Sequence, residues 1–290
     1  MYNSLKGMLR EVENFNGDLA ELIIANEIKK SEKSREDIIA EMERRRGIMK
    51  DSSEAATGRD NGLQKTFISG MSATQQEYTD KNDTLCGSLV NKAMAKALSC
   101  SEVNAAMGKI CAMPTAGSCG IVPAVLETLA EELGADDDRV VKAYVVASGT
   151  GALAVENATV SGAEGGCQAE CGVAAAMAAA GAVYMKGGSA EECIESFAIS
   201  LINIMGLVCD PVAGLVQIPC AQRNASQAVN ALLSADLAMG GMKCGIDADE
   251  VIESMYRVGK LMPVQHRETS LGGIAVTASA KEYEKALKNM

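Results

Sequence analysis

Ten cysteines and a single histidine, His266, set the chemistry open to this chain. A structural zinc site usually takes four Cys or His ligands, commonly arranged as close Cys-x-x-Cys pairs. No such pair occurs here, and only one imidazole is available, so zinc is disfavoured. A catalytic thiol needs a base, and His266 stands far from most of the cysteines in sequence, which makes a Cys–His dyad weak. Thiolate sulfur is also the natural ligand of iron–sulfur clusters. Cys209 and Cys220 lie close to prolines in glycine-containing segments, and loops of that kind bring distant thiolates together. Cys167 and Cys171 are four apart and would share a face on a helix. Residue type and spacing do not choose a ligand set among the ten, and most are expected to be small core residues.

Three segments concentrate these groups within otherwise bland helical sequence. They are Asn104–Ser118, with its Met113-Pro-Thr-Ala-Gly-Ser118 loop, Gly162–Glu170, and Gly206–Ala225. The elements that must position them are helical. Asp18–Lys29 places Leu19, Leu22 and Ile23 on one face. Ser34 with Asp37 forms a capping-box pattern, followed by Ile38, Ile39 and Met42 and a stop expected near Gly47. From Thr84 the helical spacing resumes through Leu89, Ala93 and Leu98. Pro123 places the start of the next helix close to it. Asp136–Asp138 cap a helix through Val140–Ala147, a stretch that a strand reading could also claim. Ser189 with Glu192 opens a helix that ends at Gly206. Further helices are expected from Ala225, from Asp249 and near the C-terminus. The fold class is therefore all-α: a compact helical domain with glycine-rich loops around a site, preceded by a helical arm. Residues 1–50 read as the arm, 51–82 as a loop-rich connection and 83–290 as the main domain.

Composition limits the partners. Hydrophobic residues make up 48% of the chain, enough to build a sizeable core and to exclude wholesale disorder. With no Trp, three Phe and 16 Met, that core must rely on Ala, Gly and Met packing. The net charge of −11 leaves no basic stripe for phosphates. Arg44–Arg46 follow several acidic residues and read as the positive end of a helix, so nucleic acid is not an expected partner. Cys171–Met185 is too short for a membrane span and reads as a buried helix, so no membrane is expected either. No apolar signal segment appears in Met1–Arg10, and the expected location is cytoplasmic, where cysteines stay reduced.

The three segments resemble the alpha chain of the iron–sulfur-dependent L-serine dehydratases, from about Asn104 to Ala275 and more weakly through the arm. The tokens carrying the resemblance are Asn104-Ala-Ala-Met-Gly, Pro114-Thr-Ala-Gly-Ser118, Ser161-Gly-Ala, Gly165-Gly-Cys-Gln-Ala-Glu170, Cys209-Asp-Pro-Val-Ala-Gly214, Pro219-Cys220, Arg223-Asn-Ala225 and Arg267-Glu-Thr269. The resemblance implies that Cys167, Cys209 and Cys220 hold a [4Fe-4S] cluster in the domain 83–290. It implies elimination of water from L-serine to give pyruvate and ammonia, without pyridoxal phosphate. Three thiolates on a four-iron cube leave one iron free to act as a Lewis acid.

Several residues in these tokens are candidates for substrate binding. The loop Thr115, Ala116, Gly117 and Ser118 precedes a helix, and its hydroxyls and amides form a carboxylate cradle. Asn157, Ser161 and Glu164 precede Cys167 and line the same pocket, while Arg223 and Asn224 follow Cys220. Arg267 and Glu268 are expected to pair with each other. His266 is incidental, and no role is assigned to Cys111, Cys119 or Cys171. The general base is not identified from the sequence. Members of this family also carry a second module with a histidine-containing motif, so the resemblance implies a beta chain and a heteromeric enzyme. The alternatives are a related lyase acting on cysteine or threonine, and a non-enzymatic metal-binding subunit with a closed four-ligand site.

Overall fold

The computed structural model describes residues 2–81 and 83–288, and within them the chain forms thirteen α-helices and no strand. Three belong to the arm: α1 (Leu5–Glu11), α2 (Leu19–Ser31) and α3 (Arg35–Glu54). The body comprises α4 (Met71–Thr79), α5 (Gly87–Ala105), α6 (Ile121–Leu133), α7 (Asp137–Asn157) and the single turn α8 (Gly162–Gly165). It continues with α9 (Val173–Lys186), α10 (Ala190–Asn203), α11 (Cys220–Met239), α12 (Ala248–Leu261) and α13 (Ala278–Lys288). The all-α reading holds, including Val140–Ala147, which lies inside α7.

Helix starts follow local chemistry. Asp18 Oδ1 accepts the amides of Ala20 and Glu21, and Asp136 Oδ1 accepts that of Arg139. Both capping boxes, Ser34 with Asp37 and Ser189 with Glu192, are fully formed. Pro123 sits in the first turn of α6, where its missing N–H costs nothing.

The centre of the molecule is α9. Ala174–Ala176 and Ala178–Ala180 are wholly buried, and α6, α7, α10 and α11 pack around it. A helix apolar on every side belongs in an interior. Its small side chains allow close approach: a Cβ on Gly181 would lie 2.9 Å from the Ala143 carbonyl oxygen of α7. One core cluster runs from Tyr2 to Met255, so α2 and α3 of the arm pack onto α7 as part of it. No helix among the described residues is long and apolar enough to cross a membrane.

Two expected boundaries move. The stop near Gly47 does not occur, and α3 continues to Glu54. Its last turns are held from outside: Ser99 Oγ donates to the Ser52 carbonyl and accepts the Ala56 amide. Those buried bonds offset the roughly 1 kcal/mol cost of a mid-helix glycine. The helix expected from Ala225 begins instead at Cys220. The stretch 51–82, read as loop with one short element, thus contains the end of α3 and all of α4.

Candidate active site

The three cysteines singled out by the resemblance come from three places where helical structure is interrupted. Cys167 follows Gly166, whose φ of 75° requires glycine, and precedes a π-helical turn, Gln168–Gly172. Such turns insert an extra residue and are frequent at functional sites. Gln168, fully buried, fixes this one: its Nε2 donates to the carbonyls of Gly165 and Met255, and its Oε1 accepts the Gly206 amide. Cys209 lies after α10 in a single parallel bridge with Arg267. Its amide donates to the His266 carbonyl at 2.9 Å, and its carbonyl accepts the Glu268 amide at 2.8 Å. Cys220 is the first residue of α11, after the cis peptide Ile218–Pro219.

All three thiols are buried, and they lie close enough to influence one another's ionisation. Burial pushes the Cys220 thiol up to about 12, with further upward pressure from Cys167 and Glu170. Burial also raises Cys209, reinforced by Cys167 and Glu170. Cys167 behaves oppositely. Its hydrogen bond with the Cys171 thiol lowers its pKa against the cost of burial, and the Arg223 guanidinium adds to the effect. Cys171, by the same contact and by burial, is held well above the usual thiol range. Cys171 therefore lies against the trio, whereas Cys119 points to the Cys100 carbonyl and Cys111 lies near Arg44 and Arg45.

Around the thiols is a ring of charge. Arg223 donates from Nη1 to the Val208 carbonyl at 2.9 Å, pairs through Nη2 with Asp210 at 2.8 Å, and reaches Cys167. Asp210 also accepts the Ile274 amide. Two carboxylates face the thiols, Glu170 from the π turn and Glu268 from the C-terminal segment. The Thr115 hydroxyl donates to Glu170 Oε1 at 2.5 Å. Burial raises the Glu170 pKa, the Thr115 bond opposes this, and the charge of Glu268 adds to it. Glu170 ends the Gly165–Glu170 segment that carries the resemblance, and the sequence alone assigns it no role. Its signal is a lone carboxylate three residues after Cys167 in a run otherwise free of charge.

Two glycines make room for this carboxylate. A Cβ on Gly117 would lie 2.5 Å from Glu170 Oε1. A Cβ on Gly162 would lie 3.0 Å from Cys209 Sγ, 3.3 Å from Glu170 Oε2 and 3.4 Å from Glu268 Oε2. The loop that includes Gly117 is held in place by Asn224. Its Nδ2 donates to the carbonyls of Gly117 and Cys220, and its Oδ1 accepts the Gly120 amide. Asn224 is thus a brace with its hydrogen-bonding groups in use. Thr115 and Ser118 bond to each other, Oγ to Oγ at 2.9 Å. The amides of Ala116 and Gly117 have no hydrogen-bond partner among the described residues.

The remaining candidates fall elsewhere. The Asn157 side chain donates to the carbonyls of Asn3 and Leu153, tying the chain's start to the end of α7. Glu164 is exposed on α8, and Ser161 caps that turn, its carbonyl accepting the amides of Glu164 and Gly165. Arg267 and Glu268 do not pair. Glu268 adopts a left-handed φ of 62° that turns its side chain toward Glu170, and the buried Arg267 Nε has no partner.

Comparison with known proteins gives the family. The family model for the serine dehydratase alpha chain matches residues 15–275. A Bacillus subtilis protein named "Probable L-serine dehydratase, alpha chain" is 41% identical over 99% of this chain and 95% of its own length. The L-serine dehydratase alpha chain of Peptoniphilus asaccharolyticus is 42% identical over 91% of each chain. L-serine dehydratase 1 of Escherichia coli is 45% identical over 62% of this chain, which accounts for 40% of that longer protein. A match spanning most of the sequence, with relatives aligned nearly end to end, makes this chain a member of the serine dehydratase alpha chain family.

Proposed function

We propose that the chain is the catalytic alpha subunit of an L-serine dehydratase that eliminates water from L-serine to give pyruvate and ammonia. Cys167, Cys209 and Cys220 would hold a [4Fe-4S] cluster. The observation that carries this reading is the convergence of three buried thiols from three separate segments beside two carboxylates. The donor set fits such a group. Cys167, Cys209 and Cys220 are free, buried thiols, and thiolate sulfur is the usual protein ligand of such clusters. When bound, the cluster would supply Lewis acidity at an iron without a protein ligand, making the substrate's β-hydroxyl a better leaving group.

The chain's own residues would do the rest. The amides of Ala116 and Gly117, free of internal partners, are suited to hold the substrate carboxylate beside the cluster site. Arg223 draws the segment around Val208 and Asp210 against Cys167 and supplies positive charge to a site rich in thiolates. Asn224 keeps the loop 117–120 in register with the start of α11. The reading includes a beta chain that completes the site, and this chain accounts for only 40% of the longer L-serine dehydratase 1 of Escherichia coli.

Anaerobic reconstitution with iron and sulfide in the presence of the beta chain should give pyruvate from L-serine. Full activity after Cys209→Ala would overturn the assignment. Faster turnover of threonine or cysteine than of serine would replace the substrate but keep the chemistry. A cluster spectrum unmoved by added serine, with no turnover, would favour a non-enzymatic subunit.

A further inference from the structure

Gly162 marks a point where three unrelated groups converge. From the position its Cβ would take, Cys209 Sγ, Glu170 Oε2 and Glu268 Oε2 are all within 3.4 Å. The two carboxylates come from different parts of the chain and face each other without a cation between them. Glu170 is bonded to the Thr115 hydroxyl, a neutral donor. Glu268 has neither an ion pair nor a side-chain hydrogen bond among the described residues. The Arg223 guanidinium is already committed to Asp210 and Cys167. The Cys209 thiol, 3% exposed and without a hydrogen-bond partner, points into the same space.

The like charges of the partly buried Glu170 and the exposed Glu268 repel each other, and neither carboxylate has an ion pair among the described residues. Such an arrangement is stabilised when a cation enters between the carboxylates. A small zwitterion brings one. On the other side of Glu170 lie the unpartnered amides of Ala116 and Gly117, which suit an anion. The site thus carries negative charge on its Gly162 side and hydrogen-bond donors on its Ala116–Gly117 side.

We infer that Glu170 and Glu268 form the recognition pocket for the α-ammonium of the amino-acid substrate, and so select amino acids over hydroxy acids of the same shape. This rests on the dehydratase reading and deepens it. A side chain at Gly162 would crowd Cys209 Sγ and both carboxylates, so the glycine keeps the two carboxylates free to meet the ammonium. The left-handed backbone at Glu268 serves the same end by turning its carboxylate inward.

The test uses the reconstituted enzyme with its beta chain, with L-alanine and L-lactate as competitive inhibitors. These two differ only in ammonium against hydroxyl. The wild type should bind alanine better than lactate. Glu268→Gln and Glu170→Gln should each raise the KM for serine about tenfold or more, while kcat changes less. The same variants should weaken alanine by a like factor and leave lactate unchanged or improved. An unchanged serine KM together with an unchanged alanine-to-lactate ratio would overturn the inference. So would a loss confined to the response to added potassium, since the pair would then hold a free cation. Wild-type pyruvate formation separates the two levels. If it is absent, the dehydratase reading fails, and if it is present with an unmoved ratio, only the ammonium pocket fails.

Discussion

Cys100, Cys119 and Cys193 are as deeply buried as Cys167, Cys209 and Cys220, yet the two sets sit in different worlds. Cys100 and Cys193 lie within α5 and α10, and Cys119 lies in the turn before α6, with its thiol on the Cys100 carbonyl and within the influence of Glu170. Cys100 contacts the Ser52 hydroxyl, and no carboxylate or guanidinium approaches it as a partner. The other trio lies where the helical ladder is broken, at a π turn, a lone bridge and a helix start, and shares its space with Glu170 and Arg223. Burial pushes Cys100 and Cys220 up to about 12 alike. Depth and acidity therefore do not separate structural thiols from the proposed ligands. Convergence of three thiols on one another, each at a break in secondary structure, does.

The two sets of thiols should differ most in activity. Cys209→Ala should abolish pyruvate formation, whereas Cys193→Ala should keep it within a few-fold while lowering thermal stability. Steady-state assays and melting curves on both variants decide the matter. Next comes Gly117→Ala, which adds a methyl 2.5 Å from Glu170 Oε1 without touching any thiol. Displacement of that carboxylate should lower kcat/KM about 10- to 100-fold, with the helical circular dichroism spectrum retained. A smaller effect sharpens the role of the brace. Asn224→Ala leaves the Gly117 carbonyl and the Gly120 amide without their side-chain partner and should cost about 1–3 kcal/mol in denaturant unfolding.

Local signals carried most of the fold. Ser34 with Asp37, Ser189 with Glu192, and Asp136 each satisfy their own helix end within four residues, so the sequence announces them. Gly47 misled because the force that extends α3 comes from Ser99, on another helix. Cys220 misled in the same way, since α11 starts against the loop 117–120 rather than at a local cap. The site was legible only in part. The three cysteines were chosen by resemblance, not by spacing. Glu170 acquires meaning from Thr115, Gly117 and Gly162, which meet it only in three dimensions. Glu268, read as an ion-pair partner of Arg267, is turned away by a backbone conformation that the sequence does not signal. Asn157, read near the pocket, is taken up by the Asn3 carbonyl.

On the proposed reading, one trio of thiols, and not its equally buried counterpart, holds the cluster. Iron and acid-labile sulfide content after anaerobic reconstitution measures this directly. Wild type, Cys193→Ala and Cys171→Ala should load iron and sulfide in equal amounts, with the absorption of a cubane cluster. Cys167→Ala, Cys209→Ala and Cys220→Ala should each lose most of both. A fully loaded Cys209→Ala protein, or an equal loss in Cys193→Ala, would contradict the account.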